Sequence, residues 1–376
     1  MAPSLPSMMR AVVQTAPGTA SVESVPIPKV EYGSALVKLE ASLVHSNLSP
    51  IFKADLDYFK LPYPAVPGSF GIGRVAAVGP DATALREGDF VIVSAFIHSR
   101  DDPSVNIIRG VLAGPTPASQ HLYKTFARNG FFAEYVTAPL ETIFRLDEAR
   151  LFGSPEAGGL GYIPGELVVF PANVICYAAM RGISLQPGER VVITPATGHY
   201  SAAAVDVAAA LGARVIAASR NAAGLAKLKE TYPGVVDTVQ LTGDVKTDGA
   251  ALSAFGPVDA VVDVSPPAAT GAPNFAAALS SLRDGGRVTL VGGRGDETLP
   301  IPYLKAMMSS LTIKGSYMYA REDVEACIRL AEAGLLKFGK RAGHVVHAVY
   351  TLDDFQEAMD RAVETAGPGS IIYIKP

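Results

Sequence analysis

Residues 190–221, RVVITPATGHYSAAAVDVAAALGARVIAASRN, constrain the fold more than any other stretch of the chain. Val191, Val192 and Ile193 form a short β-branched run, and residues 202–211 are continuous helix former. Gly212 stands where a helix C-terminal glycine belongs, and residues 214–218 are β-like again. Strand, tight turn, helix and strand in this order read as a parallel βαβ unit. Such a unit aims its turn, and the helix N-terminus behind it, at the carboxyl edge of the sheet, where backbone N–H groups and the helix dipole hold a pyrophosphate. The stretch therefore predicts a nucleotide cofactor bound at Thr197, Gly198, His199, Tyr200 and Ser201.

The glycine signature of the turn is altered. Pro195, Gly198 and Ser201 fill a spacing of three that is usually occupied by glycines. Proline cannot take the positive φ that a first glycine often serves, so the turn must differ locally. Ser201 is still small enough for close helix–sheet approach. No acidic residue stands at the end of the second strand, where one would hydrogen-bond the ribose hydroxyls of NAD. Ser219, Arg220 and Asn221 stand there instead, a hydroxyl, a guanidinium and an amide suited to an adenosine 2′-phosphate. NADPH is the cofactor this pattern predicts.

With 376 residues, of which 36 are Gly and 28 Pro, the chain is long for one core and short for three. A net charge of −4 argues against nucleic acid or an anionic membrane as partner. Two cysteines, Cys176 and Cys327, make no disulfide framework, and no apolar run reaches the roughly 18 residues of a membrane span. A cytoplasmic enzyme acting on a small molecule is expected.

Residues 11–13, 35–39, 72–78 and 90–93 read as strands between Gly and Pro turns, a β-rich first domain. From residue 166 helix and strand alternate: a helix at 171–181, the βαβ unit, a strand at 260–264, a helix at 275–282 and a strand at 287–291. That is a doubly wound α/β domain. After residue 318 come a helix at 321–333, a strand at 344–348, a helix at 353–365 and a strand at 370–374, expected to return to the first domain. The expected division is 1–165 completed by 319–376, and 166–318.

Five segments carry a family resemblance: PAVPGSFGIGRVAAVG (64–79), REGDFVIV (86–93), GFFAEYVTAP (130–139), LQPGERVVI (185–193) and LRDGGRVTLVGG (282–293). The chain resembles the medium-chain dehydrogenase/reductase superfamily, nearest its quinone reductase and zinc-free alcohol dehydrogenase-like branches. The resemblance implies a GroES-like β-rich catalytic domain joined to a Rossmann domain, with the active site in the cleft. By the same resemblance Val291 and Gly292 fix the nicotinamide carboxamide through backbone groups, and His45 approaches the pyrophosphate. His98, His121 and Tyr123 lie in the 94–130 insertion, which by family analogy rims the substrate cleft.

The departures from the family bear on metal. Zinc members carry Cys-His-Ser-Asp or similar near the start, and this chain has Val44, His45, Ser46 and Asn47. Where they carry Gly-His-Glu it has Gly68, Ser69 and Phe70, and the third ligand position falls near Pro171. The 94–130 segment, which holds a four-cysteine zinc site in many members, has no cysteine. Neither zinc is expected.

Without zinc, hydrogen-bond donors must polarise the substrate and a side chain or water must supply the proton. Ser46 matches the hydroxyl that relays the proton in zinc members, and Tyr58 and Tyr63 lie in a segment that supplies a tyrosine donor in some zinc-free reductases. The first reading is an NADPH-dependent reductase of an enone, quinone or enoyl C=C. A zinc-free ketone reductase or alcohol dehydrogenase is the second, and a cofactor-binding scaffold or non-redox catalyst the third. No G-x-S-x-G elbow supports nucleophilic catalysis. Residues 311–317, LTIKGSY, read as an edge strand through which a homodimer is expected.

Overall fold

The computed structural model describes residues 5–55, 61–269, 271–293 and 298–376. They fall into two units, Met1–Pro171 with Val345–Ala366 and Ser370–Pro376, and Ala172–His344 with Gly367–Gly369.

The first unit opens on a hairpin of β1 (Met8–Ala16) and β2 (Thr19–Pro26), turned by Pro17 and Gly18. Then come β3 (Ser34–Leu43), helix α1 (Leu48–Phe52), β4 (Gly71–Val78) and β5 (Phe90–Val93). β6 (Phe96–His98) and β7 (Asn106–Ile108) form a ribbon of their own, followed by α2 (Pro117–Leu122), β8 (Tyr135–Pro139), β9 (Ile143–Arg145) and α3 (Glu148–Phe152). β3 is buried along almost its whole length because it is central, pairing with β4 on one side and β8 on the other. Its side chains divide by strand alternation. Ala35, Val37 and Leu39 join Val75, Val91 and Phe131 in one apolar cluster, and Leu36 joins Leu48 and Phe52 of α1 in another.

The second unit opens with α4 (Phe170–Gly182). Strands β10 (Arg190–Thr194), β11 (Arg214–Ser219), β12 (Val236–Gln240), β13 (Val258–Asp263), β14 (Leu282–Leu290) and β15 (Thr312–Gly315) form a parallel sheet in the order β12-β11-β10-β13-β14-β15. Helices α5 (His199–Ala210), α6 (Ala222–Thr231), α7 (Val245–Ser253), α8 (Asn274–Ser281), α9 (Tyr303–Met308) and α10 (Arg321–Glu332) complete it. One sheet face, with Val192, Ile216, Val261 and Val288, packs on Leu252 of α7 and Phe275 of α8. The order reverses beside β10, where a doubly wound sheet binds its ligand at the carboxyl edge.

The chain returns to the first unit through β16 (Val345–Tyr350), α11 (Phe355–Glu364) and β17 (Ser370–Ile374), which extend the β3 sheet to seven strands. The fold is α/β, a GroES-like β-rich domain and a Rossmann domain. The second unit runs on to His344, beyond the 318 expected from sequence, because α10 belongs to it. Asp323 of α10 is buried and accepts from Arg181 of α4, from Nε at 2.5 Å and Nη2 at 3.0 Å. A buried carboxylate must lie beside its cation.

Candidate functional site

The expected site residues are divided between the two units, and each group is described within its own. In the second, β10 leads through Pro195, Ala196 and Thr197 into α5, with Gly198 as N-cap. The altered signature is explained by Ser201, whose buried Oγ accepts from Gly198 N at 2.8 Å. This hydroxyl braces the turn from inside instead of facing a ligand. A Cβ on Gly198 would meet only that oxygen, at 3.1 Å, so the outer side of the turn is open to close approach. Thr197 Oγ1 lies 2.7 Å from Ser219 Oγ, which ties the turn to the end of β11. Asn221 caps α6, its Oδ1 accepting from Gly224 N at 3.0 Å, so half of its amide is spent on the fold. Arg220 between them is exposed and has no hydrogen bond or ion pair among the described residues.

At the far side of the turn, the N–H groups of Val291 and Gly292 both donate to the Asp263 carbonyl, at 2.9 and 3.1 Å. Gly292 is required here, because a Cβ would stand 2.2 Å from the Ser265 carbonyl oxygen. Sequence reading missed the polar group behind it. Ser265 Oγ donates to Asp263 Oδ1 at 2.5 Å, and Asn274 Nδ2 reaches Ser265 Oγ at 3.1 Å and Thr194 Oγ1 at 3.3 Å. These buried groups tie β10, β13 and α8 together at the carboxyl edge. Ser265 lies two residues from Asp263, but the bond that joins Asn274 to Thr194 spans 80 residues.

His199, on the first turn of α5, packs edge-on against Tyr200 with ring centroids 5.3 Å apart. Its Nε2 is buried without a hydrogen-bond partner among the described residues. Burial, reinforced by His344 and opposed by Asp206, pushes its pKa down from 6.5 to about 4. Burial likewise pushes the Tyr200 phenol up to about 12. Further along the helix Asp206 accepts from Tyr232 Oη at 2.7 Å and lies 3.2 Å from His344 Nε2, another buried group the sequence did not disclose.

The His199 shift gives a stability prediction. The unfolded imidazole binds a proton below its ordinary value and the folded one does not, so stability is full above pH 6.5 and declines as pH falls towards 4. The slope from this group is at most about 1.4 kcal/mol per pH unit. His199→Gln is expected to flatten that acid limb in urea titrations repeated across the window. An unchanged limb contradicts the assignment.

In the first unit the end of β3 is held by Leu43 N donating to Phe70 O and Val44 N to Ile372 O, both at 3.1 Å. His45 follows, buried, its Nε2 3.2 Å from Ser69 Oγ. Ser46 is half-buried, and no hydrogen bond is made by its hydroxyl among the described residues. Val44 is buried in an apolar cluster. Among the described residues no group of three or more His, Cys, Asp or Glu is placed to hold a metal ion. Tyr63 is half-buried at the edge of the cluster formed by Leu61, Ile97, Ile107, Ala113, Tyr123 and Ala127, and burial raises its pKa. Tyr58 lies outside the described residues.

The insertion corrects one expectation. Tyr123 does not rim an opening: it is fully buried as the centre of that cluster, its hydroxyl donating to the Arg128 carbonyl at 3.3 Å. A large aromatic there gives the insertion an apolar core of its own. His98 is exposed, with Nδ1 2.8 Å from its own loop's Pro103 carbonyl, and His121 is exposed on α2. Arg109, missed in the sequence, is buried beside Tyr123, bonds the Thr137 carbonyl through Nη1, and has its pKa pushed down to about 10 by burial.

Known proteins agree with this architecture. Residues 31–148 match the alcohol dehydrogenase GroES-like domain family, and residues 201–333 the zinc-binding dehydrogenase family. An alcohol dehydrogenase of Geobacillus stearothermophilus is 26% identical over 370 residues, covering 97% of this chain and 99% of the relative. An acryloyl-coenzyme A reductase of Sulfurisphaera tokodaii is 23% identical over 373 residues, covering 98% and 100%. A Sinorhizobium meliloti 1021 protein solved with NADP bound shares the fold at a TM-score of 0.71 and 20% identity, covering 99% of this chain and all of its own. With its GroES-like and Rossmann units, the chain belongs to the medium-chain dehydrogenase/reductase superfamily of oxidoreductases.

Proposed function

We propose that the protein is a zinc-independent, NADPH-dependent reductase acting on an activated C=C or C=O of a small molecule. The observation that carries the reading is the end of β11. There the hydroxyls of Thr197 and Ser219 lie 2.7 Å apart beside Arg220, which has no bond among the described residues, and β11 does not end in the acidic residue that would face the ribose of NAD. Those three residues would hold a 2′-phosphate, with the open turn at Gly198 for the pyrophosphate. The bound cofactor supplies hydride.

Zinc does not fit the residues at the family's ligand positions. Val44 offers a buried alkyl group, Ser69 a hydroxyl already directed at His45, and Pro171 no donor at all. A catalytic zinc takes three N, S or O protein ligands. Hydrogen-bond donation is left to Ser46 and to Tyr63, whose raised pKa keeps its phenol protonated at neutral pH. The relatives include both alcohol dehydrogenases and an acryloyl-coenzyme A reductase, which keeps C=O and C=C reduction together in the proposal. Loss of NADPH absorbance against a panel of enones, quinones, enoyl thioesters and ketones tests the function, with product analysis to tell C=C from C=O. No consumption with any of them, despite NADPH binding, would favour the non-redox reading.

A homodimer is part of the proposal. β15 is the last strand of its sheet, and the exposed side chains Tyr303, Leu304 and Met308 of α9 and Tyr317 lie close to it in sequence. An unpaired edge beside apolar side chains suits pairing with a second copy. Sedimentation at micromolar concentration is expected to give twice the chain mass, and a monomer alone contradicts it.

A further inference from the structure

The chain passes from the second unit into β16 and β17 at two points, after His344 and after Gly369. The two crossings are neighbours. Val345 and Ser370, the residues just beyond them, are the first paired residues of the parallel β16–β17 ladder. Ahead of that pair the His344 ring lies against Gly369, where a Cβ would stand 2.6 Å from His344 Cδ2 and 3.0 Å from its Cα. Gly343 and Gly369 are both at positive φ, +66° and +64°, so each crossing turns on the residue type that adopts this conformation at no steric cost.

Helices α5 and α6 hold both crossings. Asp206, about two turns along α5 from His199, accepts from Tyr232 Oη at the C-terminal cap of α6, and its other carboxylate oxygen lies 3.2 Å from His344 Nε2. His344 Nδ1 is buried without a hydrogen-bond partner among the described residues, which places the ring proton on Nε2, where Asp206 accepts it. Asp206, Tyr232 and His344 are all buried, so water competes little for these bonds. One face of α6 completes the hold. Lys227 Nζ donates to the Pro368 carbonyl at 3.0 Å, and a Cβ on Gly343 would meet Thr231 Oγ1 at 2.7 Å.

The same two helices begin at the candidate cofactor site, α5 at the Gly198 turn and α6 at Asn221 beside Arg220. A dinucleotide with its pyrophosphate at the first of these ends and its 2′-phosphate beside the second ties α5 to α6, and two helices so tied part less often further along. We propose that Asp206 and His344 form a clasp that carries cofactor binding to the two crossings. While it is closed, β16 and β17 are held together at their first residues, and when it opens both are released. In its link to the nucleotide the clasp rests on the cofactor reading above.

Amide hydrogen exchange of residues 343–350 and 367–374, followed by mass spectrometry with and without NADPH, tests the clasp. In the parent protein NADPH is expected to slow exchange in both segments. His344→Leu is expected to speed exchange in both by about tenfold or more without ligand, and to abolish the slowing by NADPH although the nucleotide still binds. His344→Gln, which keeps a donor for Asp206, is expected to retain the slowing by NADPH, and it serves also where the leucine variant does not fold. Faster exchange in one segment only or in neither, slowing by NADPH that survives His344→Leu or is lost in His344→Gln, or bound NADPH that slows neither segment of the parent overturns the proposal. A parent protein that binds no nicotinamide dinucleotide overturns the cofactor reading instead, and the unliganded exchange then decides the clasp.

Discussion

Replacing Arg220 by alanine is expected to weaken NADPH binding by roughly 10- to 150-fold, the worth of a charge-assisted hydrogen bond of about 1.5–3 kcal/mol. NADH, which has no 2′-phosphate, is expected to lose little. The contrast follows from where the side chain stands. Arg220 is exposed and makes no bond among the described residues, so its removal leaves no partner unsatisfied in the free protein. Asn221 holds the start of α6 through Gly224 N, and the Ser219 hydroxyl lies against Thr197, so the surrounding frame survives the substitution. Fluorescence titration of both cofactors against parent and variant measures the effect. Equal weakening of the two, or a parent that prefers NADH, rules out the 2′-phosphate site.

Ser46→Ala is expected to lower kcat by about tenfold or more while the NADPH dissociation constant stays nearly constant. Removing one donor to a developing oxyanion can cost on the order of 10²- to 10³-fold in rate, and partial replacement by water brings the expected loss to the lower figure. The Ser46 hydroxyl makes no hydrogen bond among the described residues, so its loss is expected to spare stability. Its neighbours His45 and Ser69 are paired with each other and keep the segment in place. Tyr63→Phe belongs beside it, since that phenol is half-buried and stays protonated. Steady-state kinetics with cofactor titration separates the two parameters. If both variants turn over like the parent, the proton comes from another group, and Tyr58 becomes the next variant to make.

The fold was legible wherever local pattern and tertiary role coincide. β10, α5 and β11 are buried and continuous in sequence, so their periodicity is their structure. The turn between them was not, because the role of Ser201 depends on a hydrogen bond to Gly198 that spacing alone does not reveal. The insertion was illegible for a different reason. Its core gathers Leu61, Ile97, Ile107, Ala113, Tyr123 and Ala127 from segments too short to show a period, so the burial of Tyr123 has no local signature. The extent of the second unit is marked by long-range pairs, Arg181 with Asp323 and Asp206 with His344, separated by 142 and 138 residues. Thr194 and Asn274 show the same limit at the site itself, since they are 80 residues apart and meet only after the sheet has formed.

NADPH turnover on a reducible member of the panel, measured before and after exhaustive chelation with zinc content determined on the same samples, is the most direct test of zinc independence. Well below one zinc per chain and an unchanged rate are expected, because Val44, Ser69 and Pro171 give a catalytic zinc too few ligands. Stoichiometric zinc, with activity lost on chelation and restored by the metal, would contradict that independence.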